Sequence, residues 1–248
     1  MDIIQKIIRD IQKIRIGRTA AFKGREKSFR EDKKTETEGT TILALKYDKG
    51  VIIAADTRCV AGETIFSDKV VKIEEVGSLS CLAGAGYVSD FQILVDALRN
   101  ELTPKLEKFW EKEIFVDGQA NLIKEIMRNC FLETWIIIAG WNPFKKEGYI
   151  SLIDPGGAIY DKFDDYIATG SGGNYAKAVL KIKWFKNCSK EKGIQIAIEA
   201  LLAASEIDRN TSKSIPAIKV ISSERIINVK KKDIKKALQA SRQQRRKK

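Results

Sequence analysis

No histidine occurs anywhere in the 248 residues of this chain. The absence excludes Ser-His-Asp and Cys-His hydrolytic arrangements, in which an imidazole takes the nucleophile's proton. It also removes zinc's usual nitrogen ligand. The four cysteines, Cys59, Cys81, Cys130 and Cys188, are scattered, with no pair at metal or redox spacing. No metal site and no cofactor are expected, and the thiols read as reduced and mostly buried in a cytoplasmic protein. No apolar run reaches the ~18 residues that a membrane-spanning helix needs. Charges interrupt the apolar positions of the N-terminus throughout, so it does not read as a signal peptide.

The formal charge is +12, which at first suggests a nucleic-acid partner. Its distribution argues otherwise. Residues 1–39 carry +4 and residues 230–248 carry +9, which leaves the body from 40 to 229 at −1. A basic face on the folded body is therefore not expected, and nucleic acid is disfavoured as a partner. In the tail, Ile234, Ala237 and Leu238 fall on one helical face, so a short basic helix against a neighbouring subunit, or simple solvation, is preferred to an RNA-binding arm.

Ile3, Ile4, Ile7, Ile8, Ile11 and Ile14 recur at helical spacing among charged residues and predict an amphipathic helix, with docking on protein preferred to lying on an anionic membrane surface. From Gly17 to Glu38 the chain is polar and reads as a linker. Strands are expected at Thr41–Tyr47 and Val51–Asp56 around the turn Asp48-Lys49-Gly50, then at Thr64–Phe66 and Leu79–Gly84. A helix is expected from Val88 to about Leu102, ended by Pro104, and a second over Asn121–Phe131. Strands follow at Trp135–Trp141, Tyr149–Ile153, Ala158–Tyr160 and Tyr166–Thr169, then helices at Asn174–Phe185 and Lys190–Ile207. A hairpin of Ile215–Ser222 and Ile226–Val229 closes the body. The order ββββ-αα-ββββ-αα-ββ does not suit a parallel sheet. It suits an α+β fold of two antiparallel sheets packed face to face, with helices on each outer side: a four-layer αββα sandwich. One domain over 40–229 is expected, with a leader, 1–39, and a basic tail, 230–248.

Without imidazole, a hydrolytic nucleophile needs another base. A threonine exposed as a new N-terminus carries one, its α-amine, with a pKa of about 8. The junction Gly39-Thr40 closes the polar leader and directly precedes the first strand. Asp56 follows sixteen residues after Thr40, and Lys72 sixteen after that.

Thr40-Thr41-Ile42-Leu43-Ala44-Leu45, then Gly50 to Arg58 around Asp56, then Val70-Val71-Lys72-Ile73, resembles the start of a proteasome β-type subunit. Ala85-Gly86-Tyr87-Val88-Ser89-Asp90, Ile153-Asp154-Pro155-Gly156-Gly157, Ala168-Thr169-Gly170-Ser171-Gly172 and Asp208 follow in the order of that family, so the likeness runs from Thr40 to about Val229. The resemblance implies an N-terminal-nucleophile hydrolase fold and a threonine endopeptidase made as a precursor and released at Gly39-Thr40 by its own hydroxyl. It assigns Thr40 as nucleophile, Lys72 as the charge beside its oxygen, Asp56 as the partner of Lys72, and the Gly86 N–H as oxyanion donor. Ser171 and Asp208 would orient the new amine, and Thr211 would offer its hydroxyl to Thr40. Family members commonly carry Ser-Gly-Gly shortly after that aspartate. Here the segment reads Asp208-Arg209-Asn210-Thr211-Ser212-Lys213, so a different local turn is expected. Cys59, Val70, Glu74, Gly84 and Val88 would line the substrate pocket, made deep by Gly84 and acidic by Glu74, which predicts tolerance of basic and apolar residues there. The implied partners are α-type and other β subunits in stacked heptameric rings, an unfoldase ATPase and unfolded protein substrates. A non-catalytic structural β subunit and a bacterial two-ring threonine protease are the alternatives, the second disfavoured by the long leader.

Overall fold

Strands β1 (Thr41–Tyr47) and β2 (Gly50–Ala55) form an antiparallel hairpin that is apolar on both faces. Side chains alternate along a strand, so Ile42 and Ala44 face one side while Leu43 and Leu45 face the other. Both sides are covered: the first pair joins the core between the two sheets, the second a core under helices. The computed structural model describes residues 5, 6, 8, 9, 39–161 and 165–246. The chain continues through β3 (Cys59–Ala61), β4 (Thr64–Ser67), β5 (Ile73–Gly77), β6 (Ser80–Gly86), α1 (Val88–Asp96), α2 (Thr103–Trp110) and α3 (Val116–Cys130). Then come β7 (Thr134–Asn142), β8 (Glu147–Ile153), β9 (Ile159–Tyr160), β10 (Tyr166–Gly170), α4 (Gly173–Lys183), α5 (Lys190–Ile207), β11 (Ala217–Ser222), β12 (Ile226–Asn228) and α6 (Lys231–Arg246).

One sheet has the order β10-β1-β2-β11-β12 and the other β5-β6-β7-β8-β9, every pair antiparallel. Ile42, Val51 and Ile53 of the first sheet meet Ile73, Ala83 and Ile137 of the second in an apolar core between them. Helices α1 to α3 cover the outer face of the second sheet and α4 to α6 that of the first. This is the expected αββα sandwich.

Four local features differ from the sequence expectation, each for a physical reason. β3 is a half-buried strand of only three residues, too short for Cys59-Val60-Ala61 to show a strand pattern. In β5 a bulge between Glu75 and Gly77 shifts the register and breaks the two-residue alternation. Pro104 does not end the helix that starts at Val88. A π-type turn over Ala97–Leu102 intervenes, and Pro104 follows it as the second residue of α2, in backbone that stays helical. The tail does not wait for a neighbouring subunit: Ile234 and Leu238 of α6 are buried in this chain's own core, against α5.

Of the expected leader helix, Gln5, Lys6, Ile8 and Arg9 are helical. Ile8 is buried in the layer formed by α1 and α3, with Cys130 Sγ 3.9 Å from its carbonyl oxygen. Ile3, Ile4, Ile7, Ile11, Ile14 and the linker 17–38 lie outside the described residues. Among the described residues, no helix is long and apolar enough to cross a membrane, and no group of three or more Cys, Asp or Glu side chains is placed to hold a metal ion.

Candidate active site

Strand pairing brings distant residues to Thr40. Ile42 pairs with Ala55, so Asp56 arrives beside the start of β1. There the Asp56 N–H donates to the Thr41 carbonyl at 3.0 Å, and the Thr41 N–H donates to Asp56 Oδ1 at 2.8 Å. On the other side Thr41 pairs with Gly170, which places Ser171 next to Thr40. Lys72 immediately precedes β5 and reaches across from the second sheet. Asp208 is the C-terminal cap of α5.

Lys72 uses its three N–H donors on three acceptors: Asp56 Oδ1 at 2.8 Å, Thr40 Oγ1 at 2.9 Å and the Gly39 carbonyl at 3.1 Å. Burial depresses the Lys72 pKa below the usual lysine range, while the charge and hydrogen bond of Asp56 pull it back up. Asp56 is also buried, and four donors meet its two oxygens: Thr41 N–H and Lys72 on Oδ1, Arg58 N–H at 2.8 Å and Ser212 N–H at 3.0 Å on Oδ2. A buried ion pair is tolerable only when its remaining hydrogen-bonding capacity is met in this way.

On the far side of Thr40, its backbone N–H donates to Ser171 Oγ at 3.2 Å, and the Ser171 hydroxyl donates to Asp208 Oδ2 at 2.6 Å. The hydroxyl of Thr40 donates to the Gly39 carbonyl at 2.6 Å. The Thr40 hydroxyl, the Lys72 ammonium and the carbonyl of the Gly39–Thr40 bond thus lie in mutual contact. Gly86, at φ +142°, lines a cavity of about 180 Å³ together with Thr40, Lys72 and Gly39.

Several expected placements differ. Thr211 does not reach Thr40: its hydroxyl lies 2.6 Å from Thr41 Oγ1 and 2.6 Å from Asp208 Oδ2. The segment that lacks the glycines folds without a positive φ at Ser212 or Lys213 and aims the Ser212 N–H at Asp56. Cys59 and Val88 line the cavity beside Thr40, but Val70, Glu74 and Gly84 do not. The Glu74 carboxylate pairs with Arg99 at 2.7 Å. The space that Gly84 leaves open is filled by the Phe91 ring, with Cγ 2.6 Å from where a Cβ would sit. The pocket is therefore neither deepened by Gly84 nor made acidic by Glu74. Arg58 lines it instead, held by Asp68 through Nε at 2.8 Å and donating to the Arg209 carbonyl at 2.6 Å. Arg58, Thr41 and the Ser212 N–H join the site without being among the residues expected from the sequence. Arg58 alone had a local signal, standing two residues after Asp56.

Over residues 36–220 the chain matches the family described as proteasome subunit. The proteasome subunit beta of Methanopyrus kandleri is 30% identical over 207 residues, covering 82% of this chain and 96% of the relative. Proteasome subunit beta 1 of Thermococcus onnurineus is 33% identical over 186 residues, covering 74% of this chain and 89% of the relative. Proteasome subunit beta 2 of Ignicoccus hospitalis is 27% identical over 178 residues, covering 72% and 82%.

Proposed function

The chain belongs to the proteasome subunit family as a β-type subunit, and on that footing we propose that it is a catalytic one: a threonine endopeptidase that frees its own nucleophile. One observation carries the reading. The Lys72 ammonium, buried and paired with Asp56, touches both the Thr40 hydroxyl and the Gly39 carbonyl oxygen. A positive charge there stabilises the alkoxide character of the attacking oxygen and the negative charge that develops on the carbonyl.

In the release step Thr40 Oγ1 bonds to the Gly39 carbonyl carbon. The C–N bond to Thr40 breaks, and the hydroxyl proton ends on the Thr40 nitrogen. Water then hydrolyses the ester, freeing residues 1–39 and a Thr40 α-amine. In peptide cleavage that amine takes the hydroxyl proton, directly or through a water, as the same oxygen attacks the substrate carbonyl. Ser171 and Asp208 orient the amine, and the Gly86 N–H receives the oxyanion. A structural, non-catalytic role would need a misplaced Thr40. The hydrogen bonds from Ser212 to Asp56 and from Thr211 to Asp208 argue against it. The subunit would act in the cytoplasm, in heptameric rings stacked with α-type rings and fed unfolded protein by an ATPase.

Thr40→Ala is the direct test. The wild-type chain is expected to lose the mass of residues 1–39 on assembly, hydrolyse a fluorogenic peptide and label at Thr40 with an epoxyketone. The variant should keep its leader and show none of these activities. A wild-type particle with an intact leader and no labelling would sink the proposal.

A further inference from the structure

Two hydrogen-bonded groups flank Thr40: Asp56 with Lys72 on the hydroxyl side, and Ser171 with Asp208 on the nitrogen side. Thr41 touches both. Its N–H donates to Asp56 Oδ1 at 2.8 Å, and its hydroxyl meets Thr211 Oγ1 at 2.6 Å. Thr41 is fully buried and Thr211 nearly so, and no water need intervene.

The proton positions follow by elimination. Thr211 has one hydroxyl proton, and the Asp208 carboxylate at 2.6 Å takes it, because a hydrogen bond to a charged acceptor is the stronger one. Thr41 must then donate to Thr211. Ser171 likewise spends its single proton on Asp208 at 2.6 Å in preference to the Thr40 carbonyl at 3.3 Å. That leaves a Ser171 lone pair facing the Thr40 N–H at 3.2 Å. The chain of donation runs Thr41 to Thr211 to Asp208, and it keeps Ser171 an acceptor towards the Thr40 nitrogen. An amine that gives an N–H to Ser171 is turned so that its lone pair is available to the hydroxyl.

Gly172 shows how closely this pair of hydroxyls is accommodated. A Cβ there would overlap Thr41 Oγ1 outright and come within 2.7 Å of Thr211 Oγ1. The residue after Ser171 therefore leaves open the volume that the two hydroxyls occupy.

We propose that Thr41 is a positioning residue for the Thr40 nitrogen, coupling the Asp56–Lys72 pair to the Asp208–Ser171 pair through its hydroxyl. The inference rests on the proposed threonine-peptidase function. Thr41→Val keeps the shape and the N–H but removes the proton, and Thr41→Ser restores it. In assembled full-length protein, the valine variant is expected to release its leader and turn over a fluorogenic peptide roughly 10- to 100-fold more slowly in kcat, as small misplacements of a reacting group do. KM should stay within about twofold, because substrate binding is untouched. The serine variant should recover most of kcat. On a Thr211→Val background, adding Thr41→Val should cost little more, since Thr211→Val has already removed the Thr41–Thr211 bond together with the bond to Asp208. If Thr41→Val gives no folded chain, Thr211→Val breaks the same bond from a loop along with the bond to Asp208, and a loss in kcat at least as large, at constant KM, is expected. Wild-type kcat in a folded valine variant, a loss that serine does not restore, or a loss carried by KM would each overturn the inference alone. A wild-type chain that neither sheds its leader nor cleaves peptide would overturn the proposed function and this inference with it.

Discussion

Lys72→Met should slow leader release and peptide turnover by roughly 100- to 1,000-fold, the scale seen when one preorganised electrostatic group is removed from a reacting oxygen. Methionine nearly keeps the length of the side chain and removes its charge. The Thr40 hydroxyl would lose its 2.9 Å ammonium contact, and the Gly39 carbonyl its 3.1 Å contact. Asp56 would keep its three backbone donors and lose its counter-ion, so some stability is lost as well. Thermal melting separates the two effects: the rate loss should persist at temperatures where the variant is fully folded. A folded variant that cleaves peptide within tenfold of wild type would exclude Lys72 from the chemistry.

The same ion pair gives a pH dependence with a definite sign. Lys72 must be charged to act, and burial lowers its pKa from 10.5 while Asp56 raises it back in part. Peptide turnover should therefore fall on the alkaline side as pH rises through the Lys72 value, below that of an exposed lysine. On the proposed mechanism the acid limb would come from the freed Thr40 amine, which acts as base only when neutral. Asp56→Asn removes the carboxylate charge that supports the ammonium and should move the alkaline limb to lower pH, narrowing the bell. Because the folded value is depressed, the charged form costs stability below it, and that cost vanishes only as pH rises past the unfolded lysine's pKa. An alkaline limb unmoved in Asp56→Asn would assign it to another group.

What the sequence discloses of this molecule follows how each signal is written. β1 and β2 were legible because a strand buried on both faces is a continuous apolar run between turn residues. β5 was not, because its bulge breaks the alternation. The spacing of Thr40, Asp56 and Lys72 was visible because strand lengths set it. The donors that complete the site were hidden for a different reason: the Ser212 N–H exists at any residue, and only the fold aims it at Asp56. Thr41 looked like an ordinary strand residue until Thr211 was placed against it. The expected deep pocket failed at Gly84 because its filler, Phe91, comes from the following helix. The apolar face of α6 was readable as Ile234 and Leu238, but that it rests on this chain's own core was not.

Gly39→Ala should block self-release while leaving the mature enzyme intact. A Cβ on residue 39 would lie 2.6 Å from Val60 Cγ2 and 2.7 Å from the Asn210 carbonyl oxygen, closer than real Cβ atoms come. Val60 can turn its methyl away. The Asn210 carbonyl is backbone, in the loop whose Asp208 and Thr211 hold Ser171 and Thr41, so it cannot yield without moving them. The cheaper adjustment shifts residue 39 itself and draws its carbonyl off the Lys72 ammonium and the Thr40 hydroxyl. A displacement of about 1 Å at a reacting carbon costs on the order of 100-fold in rate, so the variant should accumulate with its leader attached. Residue 39 is absent from a chain that begins at Thr40. Particles assembled from the alanine variant and then trimmed to Thr40 by an added protease should therefore cleave peptide at the wild-type rate. Leader release at the normal rate in Gly39→Ala would show that the Val60–Asn210 seat does not set the geometry of the step, and slow turnover after trimming would place the defect in the body of the subunit.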